Sequence, residues 1–188
     1  MQFRQEILVA LGANQPSWAG NSAQTLRHAL GAFAAHGLRL RRISRFFATP
    51  CFPAGAGPDY VNAAVAVQSD LVAPEILGQL HRIEAAFGRE RGGRWQARSI
   101  DLDLLAIGDS VLPDRTTFDR WQALPIERQR AEAPDRLILP HPRIQDRPFV
   151  LVPLADIAPD WRHPALHRTV RQMLTDLPQD DVTEVKPL

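Results

Sequence analysis

Short apolar runs along the chain predict four strands. Residues 6–11 (EILVAL) read as a buried strand, and residues 38–48 alternate between polar and apolar positions. Residues 60–68 (YVNAAVAVQ) place Tyr60 and Asn62 on one face and the valines on the other, because successive side chains of a strand point in opposite directions. Residues 99–107 (SIDLDLLAI) form the fourth predicted strand, and a Gly–Asp turn follows it.

Between these strands, apolar residues recur at the spacing of a helix. Leu26, Leu30 and Phe33 recur at intervals of four and three and predict a helix over residues 22–36, with Gly37 in the position that ends a helix. A second helix is bracketed by a proline at its start and a glycine past its end. Its limits are Pro74 and Gly88, and its apolar residues are Ile76, Leu80, Ile83 and Phe87.

The remaining segments complete one predicted domain over residues 1–188. Residues 149–157 and 166–177 are predicted helices, whereas residues 114–135 are polar, carry mixed charges and are predicted to be an inserted arm or loop. The order of strands and helices favours the α+β class, as a ferredoxin-like α/β sandwich in which helices cover an antiparallel sheet.

Composition narrows the classes of function. Of 188 residues, 45% are hydrophobic and 23% charged, and the net charge of +1 gives no general attraction to nucleic acid or to an anionic membrane. A single cysteine, Cys51, excludes an internal disulfide. The first residues lack the layout of a signal peptide, and their apolar stretch is too short to span a bilayer. We therefore expect a cytoplasmic protein that binds neither nucleic acid nor membrane.

Two carboxylates interrupt the fourth predicted strand. Asp101 and Asp103 are two residues apart, so they project from the same face of the strand. Two such charges repel unless a cation lies between them, and Mg²⁺ prefers one or two carboxylates together with substrate phosphates. The alternative is an edge strand whose polar face is solvated, and this short motif alone does not decide between them.

An arginine- and glycine-rich segment, residues 88–98 (GRERGGRWQAR), precedes the two aspartates. Guanidinium groups match phosphate oxygens, and glycines permit close approach to a ligand. This combination favours binding of a nucleoside triphosphate with Mg²⁺, although a solvated basic loop is the alternative. The chain has neither a P-loop motif nor, with one cysteine, a zinc-binding cysteine pattern.

Two further segments carry groups suited to ligand binding. Tyr60 and Asn62 would place an aromatic plane beside an amide, which suits a flat heteroaromatic ring, while a half-buried structural pair is the alternative. Residues 140–149 (PHPRIQDRPF) combine His141, arginines and Phe149. Taken alone, that segment is typical of a surface loop.

Five motifs in order resemble the 6-hydroxymethyl-7,8-dihydropterin pyrophosphokinase family of folate biosynthesis. Together they span most of the chain, and they include a long central motif with the glycines, arginines, tryptophan and paired aspartates in register. The motifs are LGAN at 11–14, FFATP at 46–50, PDYVNAAVAV at 58–67, RIEAAFGRERGGRWQARSIDLDLL at 82–105 and LPHPRIQDRPFVLVPLADIAP at 139–159.

The resemblance implies transfer of pyrophosphate from ATP to the hydroxymethyl group of the pterin, with release of AMP. It implies that Asp101 and Asp103 ligate two Mg²⁺ ions that bridge the ATP phosphates. Catalysis would also depend on Arg89 and Arg98, of which Arg98 is the stronger candidate. The implied ATP-binding residues are Glu84, Arg91, Trp95, Arg98, His141 and Arg147. The implied pterin-binding residues are Thr49, Pro50, Phe52, Tyr60, Asn62 and Phe149.

The chain departs from the family pattern at two positions and leaves other functions open. Ala13 replaces a common serine, and Pro142 follows His141 where an aromatic residue is often found. Besides an active, monomeric enzyme, the hypotheses are a non-catalytic relative that binds nucleotide or pterin, and a ferredoxin-like RNA-binding domain. Retention of the paired aspartates, Arg98 and His141 favours the enzyme, and near-neutral charge weighs against RNA binding.

Overall fold

Six strands form one antiparallel sheet within the part of the chain that the computed structural model describes, residues 5–51, 57–88, 99–125, 128 and 132–188. The strands are β1 (Ile7–Ala13), β2 (Arg39–Ile43), β3 (Phe47–Thr49), β4 (Tyr60–Gln68), β5 (Asp101–Ile107) and β6 (Lys186–Pro187). The order is β5-β1-β4-β3-β6, and β2 pairs with the other end of β4. The predicted ferredoxin-like α/β sandwich is confirmed.

The helices follow the predicted order with adjusted ends. They are α1 (Ser22–Ala32), α2 (Ala73–Ala86), α3 (Arg115–Gln122), α4 (Pro148–Ile157), α5 (Val170–Asp176) and α6 (Gln179–Thr183), with 3₁₀ turns at Phe33–His36 and Ile144–Asp146. Asn21 caps α1, because its side chain accepts from the Gln24 backbone N–H and the Gln24 side chain accepts from the Asn21 backbone N–H. Gly37 ends the first helical segment at φ 74°, as its position predicted.

Two hydrophobic cores lie on opposite faces of the sheet. One face packs under α1 and α2, where Leu26, Leu80 and the odd-numbered residue Val65 of β4 are fully buried. The other face is covered at one end by α4 and α5, where Leu8 and Leu154 are buried. Among the described residues, helices therefore cover only part of this second face, and the ends of β1, β4 and β5 that carry polar residues lie beyond α4.

Two predictions about single elements were wrong. The strand predicted over residues 38–48 is two strands, because the pairing of β2 with β4 shifts register between Leu40 and Arg42 and Ser44 turns its side chain onto the backbone N–H of Ala64. The helix predicted over residues 166–177 covers only Val170–Asp176, because the Thr169 side chain caps it by accepting from the Gln172 N–H.

The polar segment predicted as an arm or loop contains the helix α3. Asp114 caps this helix by accepting from the Thr117 N–H, and Phe118 is fully buried. Phe118 packs with Ile138 and Ala165, so the segment is docked on the body of the protein. We call the described residues of this region, 111–125, 128 and 132–138, the arm. Within the described residues, no helix has the length and apolar character needed to cross a lipid bilayer.

Candidate active site

The polar ends of three adjacent strands line up on one face of the sheet. Gly12 of β1 lies directly opposite Asp101 of β5 on one side and Asn62 of β4 on the other, and Phe47 of β3 continues the row. Directly paired residues of antiparallel strands share a face. Two strand spacings of about 4.8 Å place the backbones of Asp101 and Asn62 about 10 Å apart.

Gly12 keeps the middle of this row free of a side chain. A Cβ atom at this position would come within 3.1 Å of Asn62 Oδ1. The two polar groups that flank Gly12 therefore face a common space above the strand. A ligand that reaches from Asn62 to Asp101 would pass over the bare backbone of Gly12.

Thr49, Tyr60 and Asn62 form the part of the site that we call the amide side. Asn62 is 5% exposed and Thr49 8% exposed, and Asn62 Nδ2 donates to Thr49 Oγ1 over 2.6 Å. Tyr60 pairs with Thr49 across the two strands and is half-buried. Pro50, exposed, follows Thr49 directly. This arrangement presents an aromatic side chain beside a fixed amide, as the sequence predicted for a flat ring.

Asn14, to which the sequence assigned no role, helps to position the start of β4. Asn14 is buried at the end of β1, and its Nδ2 donates to the carbonyl oxygen of Pro58 over 3.3 Å. This hydrogen bond holds the backbone just before Tyr60. Its signal in the sequence is the motif LGAN, which ends in this asparagine.

Asp101, Asp103 and Arg147 form the part that we call the carboxylate side. Both aspartates are half-buried on the same face of β5 as predicted, and Arg147 Nη1 lies 3.7 Å from Asp103 Oδ2. The Arg147 guanidinium carbon lies 5.7 Å from the ring centre of Phe149, which is itself 38% exposed. Arg147 precedes α4 and Phe149 lies in its first turn, so the start of this helix borders the site.

His141 lies between the carboxylate side and the arm. Its backbone N–H donates to the carbonyl oxygen of Leu105 over 2.7 Å, and its Nδ1 accepts from the Arg143 N–H over 3.1 Å. Burial of the ring, assisted by the positive charge of Arg147, lowers the pKa of His141 to about 3. The ring is therefore neutral near pH 7, and because Nδ1 accepts, its proton is assigned to Nε2. In the sequence, His141 was grouped with the positively charged arginines of its segment. The lowered pKa means that His141 does not add a positive charge near pH 7.

Glu84 acts on the strand that carries the two aspartates. It is 3% exposed, and its Oε1 accepts from the backbone N–H of Leu102 over 2.7 Å. Leu102 separates Asp101 from Asp103, so this carboxylate fixes the backbone between them. The other predicted ATP-binding and catalytic residues upstream of the aspartates, and one pterin-binding residue, lie outside the described residues. These are Arg89, Arg91, Trp95, Arg98 and Phe52.

The aspartates suit Mg²⁺ that arrives with a phosphate ligand. Among the described residues, no group of three or more His, Cys, Asp or Glu side chains forms a metal cage. Mg²⁺ is commonly held by one or two carboxylates together with substrate phosphates and water. Two carboxylates on one strand face, partly open to solvent, fit that mode of binding.

The fold and these groups define a class: a ferredoxin-like α/β protein with a paired-carboxylate site beside an aromatic–amide site on one sheet face. The sequence model of the family described as 7,8-dihydro-6-hydroxymethylpterin-pyrophosphokinase (HPPK) matches residues 8–159, and the chain belongs to that family. The resemblance drawn from its sequence motifs is confirmed.

Named relatives agree with this family. A 2-amino-4-hydroxy-6-hydroxymethyldihydropteridine pyrophosphokinase of Synechocystis sp. is 38% identical over 173 residues, which cover 90% of this chain and 76% of the relative. One from Methylorubrum extorquens is 34% identical over 179 residues, covering 95% and 97% of the two chains.

A crystal structure of Plasmodium falciparum HPPK-DHPS with STZ-DHP matches the fold with a TM-score of 0.66 at 13% identity. The match covers 92% of this chain and 43% of that chain, so the chain spans less than half the length of that solved protein. At this identity the likeness supports the fold alone.

Proposed function

We propose that this protein transfers pyrophosphate from ATP to 6-hydroxymethyl-7,8-dihydropterin, giving AMP and the pterin diphosphate of tetrahydrofolate biosynthesis. The observation that carries the proposal is the row of Asp101, Gly12 and Asn62 across three strands. The row supports the proposal because Asp101 and Asn62 share one face of the sheet and only the backbone of Gly12 lies between them. Membership of the HPPK family supports the same reaction.

The amide side is proposed to bind the pterin. Its ring would lie between Tyr60 and Phe149, while Asn62, Thr49 and the backbone near Pro50 and Phe52 would read its polar edge. The hydrogen bond from Asn62 Nδ2 to Thr49 Oγ1 supports this assignment, because it fixes the amide before the ligand arrives and lowers the cost of ordering it.

The carboxylate side is proposed to bind the ATP phosphates with two Mg²⁺ ions. Asp101 and Asp103 would hold the ions, and Glu84 would keep the two carboxylates in place through Leu102. When bound, Mg²⁺ neutralises phosphate charge and orients the phosphates for in-line displacement. The hydroxymethyl oxygen would bond to the β-phosphorus and give up its proton to solvent, while the bond from that phosphorus to the α–β bridging oxygen breaks and AMP leaves.

His141 and Arg147 are proposed to contact the ATP phosphates from the α4 side. Arg147 supplies a fixed positive charge beside Asp103. His141 contributes a hydrogen bond from Nε2–H rather than a charge, because its ring is neutral in the free protein. A neutral donor can bind a phosphate oxygen without repelling the metal ions.

The arginines of the segment before β5 are proposed to complete the nucleotide site. Arg89, Arg91, Arg98 and Trp95 would contact ATP, with Arg89 and Arg98 stabilising the charge of the transferring group. The proposal rests for these residues on the sequence motif and the family, because they lie outside the described residues. The cytoplasm as the location and a monomer as the oligomeric state are likewise expectations drawn from the sequence.

The decisive experiment incubates the protein with ATP, Mg²⁺ and the hydroxymethyl dihydropterin and measures AMP by chromatography. We expect AMP and the pterin diphosphate in equal amounts, and neither product without pterin. AMP no higher than in the pterin-free control would refute the enzyme. If pterin and ATP still bound under those conditions, the non-catalytic relative would be the better description.

A further inference from the structure

Two backbone hydrogen bonds join the two ends of the arm just before His141. The backbone N–H of Leu112 donates to the carbonyl oxygen of Leu139 over 2.8 Å, and the Leu139 N–H donates back over 3.1 Å. His141 is two residues beyond this bridge and is bonded to Leu105 of β5. His141 is therefore connected to the base of the arm by a very short length of chain, and its position depends on that of Leu139.

The arm is anchored on the body by α3. Phe118 is fully buried against Ile138 and Ala165, and its ring centre lies 5.6 Å from that of His163. Complete burial of a phenylalanine stabilises a contact by about 1.5–3 kcal/mol. Phe118 therefore holds α3 on the body of the protein.

Arg143 connects the arm to the candidate active site. Its Nη2 donates to the carbonyl oxygen of Leu124 over 2.6 Å, just beyond α3, and its Nη1 lies 3.0 Å from Asp146 Oδ2. The Arg143 side chain is only 14% exposed, whereas that of Asp146 is 49% exposed, so the charge-assisted bond to the Leu124 carbonyl is the better shielded from water of the two. These side-chain contacts hold the Arg143 backbone, and it is the backbone N–H that donates to His141 Nδ1.

Two consequences follow from this single residue. The hydrogen bond to Nδ1 orients the His141 ring and leaves its proton on Nε2, as outer hydrogen bonds do for functional histidines. The contact with Asp146 lies in the 3₁₀ turn Ile144–Asp146, which ends at Arg147. The groups proposed to face the ATP phosphates thus lie on both sides of a residue that the arm holds.

We propose that the arm is a scaffold for the nucleotide half of the active site, and that Arg143 is the positioning residue that transmits its hold to His141 and Arg147. This inference rests on the proposed reaction but assigns a role to residues that the reaction itself does not require. Arg143 contacts neither substrate in this scheme. It acts by fixing the ring of His141 and the turn before Arg147.

The test compares Arg143→Met, which keeps the aliphatic stem but removes the guanidinium, with Arg115→Ala. Arg115 lies on α3 and pairs with Asp119 at the surface, so it serves as a matched control. We expect Arg143→Met to raise the KM and Kd for ATP about tenfold, to lower kcat, and to leave the Kd for pterin within twofold. Arg143→Lys retains the charge without the planar fork and should give an intermediate ATP affinity.

A double-mutant cycle tests the role of the arm itself. Phe118→Leu loosens the anchor without touching residues 141–147, and thermal melts confirm that each variant is folded. We expect Phe118→Leu to weaken ATP binding in the same direction as Arg143→Met, and the double variant to be little worse than Arg143→Met alone, because both changes break one connection.

Several results would overturn the inference. They are kinetics of Arg143→Met equal to those of Arg115→Ala, equal losses of ATP and pterin affinity, or effects of the two changes that add fully. If the unaltered protein formed no AMP, the proposed reaction would fail, but the Kd for Mg²⁺–ATP would still test Arg143. An unchanged Kd in Arg143→Met would then refute the scaffold.

Discussion

The amide side and the carboxylate side occupy the same sheet face but are held in opposite ways. On the amide side, Thr49 and Asn62 are almost fully buried and joined by a 2.6 Å hydrogen bond. On the carboxylate side, the Asp103 side chain is 38% exposed and lies 3.7 Å from Arg147, a looser contact than a hydrogen bond. One side is assembled before any ligand binds, whereas the other keeps its charges near water.

The difference follows from the cost of burial. Neutral polar groups can be buried cheaply when they bond to each other, but charges lose several kcal/mol of hydration unless they are well paired. A neutral ring can therefore be recognised by a finished site. Phosphates and Mg²⁺ bring their own charges, so the groups that meet them must remain solvated and available until then.

Loss of a carboxylate should have the largest effect. We expect Asp103→Ala to reduce turnover about 1000-fold, since a metal ligand helps to supply several kcal/mol of charge stabilisation and about 1.4 kcal/mol corresponds to a factor of ten. Mg²⁺-dependent ATP binding should be lost while pterin binding and the melting temperature change little. Asp109→Ala, at the exposed turn after β5, is the control. Near-normal turnover of Asp103→Ala would show that this carboxylate is not a metal ligand.

Removal of the aromatic ring should affect only the amide side. We expect Tyr60→Ala to raise the Kd for pterin about 10- to 100-fold, because stacking on an aromatic side chain contributes about 1–3 kcal/mol. The Kd for ATP, measured by calorimetry, should change less than twofold. Tyr60→Phe should retain most of the affinity. Equal weakening of both ligands would mean that the two sides are not separate sites.

A methyl group at Gly12 tests the path between the two sides. Gly12→Ala would crowd Asn62 Oδ1 at 3.1 Å, and overpacking of this kind costs about 1–3 kcal/mol. We expect the KM for pterin to rise about tenfold. Gly78→Ala is the matched control, because a Cβ there meets no atom within 4 Å. If the two alanine variants behaved alike, Gly12 would have no role in the site.

Raising the ionic strength should have the smallest effect of these tests. It should distinguish ATP binding from pterin binding without any mutation. The screening length falls from about 10 Å at 0.1 M salt to about 3 Å at 1 M, so we expect ATP binding to weaken about fivefold. Pterin binding, which rests on neutral groups, should change less than twofold. Titrations at the two salt concentrations provide the measurement. A parallel loss for both ligands would contradict the distinction between them.

The order of elements and the pairing of the aspartates could be predicted because both depend on local spacing. Period-two alternation puts Asp101 and Asp103 on one face whatever the rest of the fold does. Gly37 and Pro74 likewise mark helix ends through their own backbone preferences.

The contacts that organise the site could not be predicted because they depend on how distant elements pack. Glu84 reaches the backbone of Leu102 only because α2 lies against β5. Most residues of α3 are polar. Phe118 is buried because Ile138 and Ala165, which lie outside this helix, pack against it. Arg143 was grouped with the other cations of its segment, and nothing in the spacing indicates that it binds the Leu124 carbonyl.

The Leu112–Leu139 bridge also bears on how the family can vary in length. It brings the two ends of the arm side by side, so a change of length elsewhere in the arm need not move the elements to which those ends connect. Each doubling of a closed loop costs only about 0.6 kcal/mol in chain entropy. Insertions in the arm that leave the Phe118 contact and the Leu124 carbonyl in place are therefore cheap for stability. We expect changes that displace these two contacts to alter nucleotide affinity, so the arm can tune the binding of one substrate while the rest of the domain is kept.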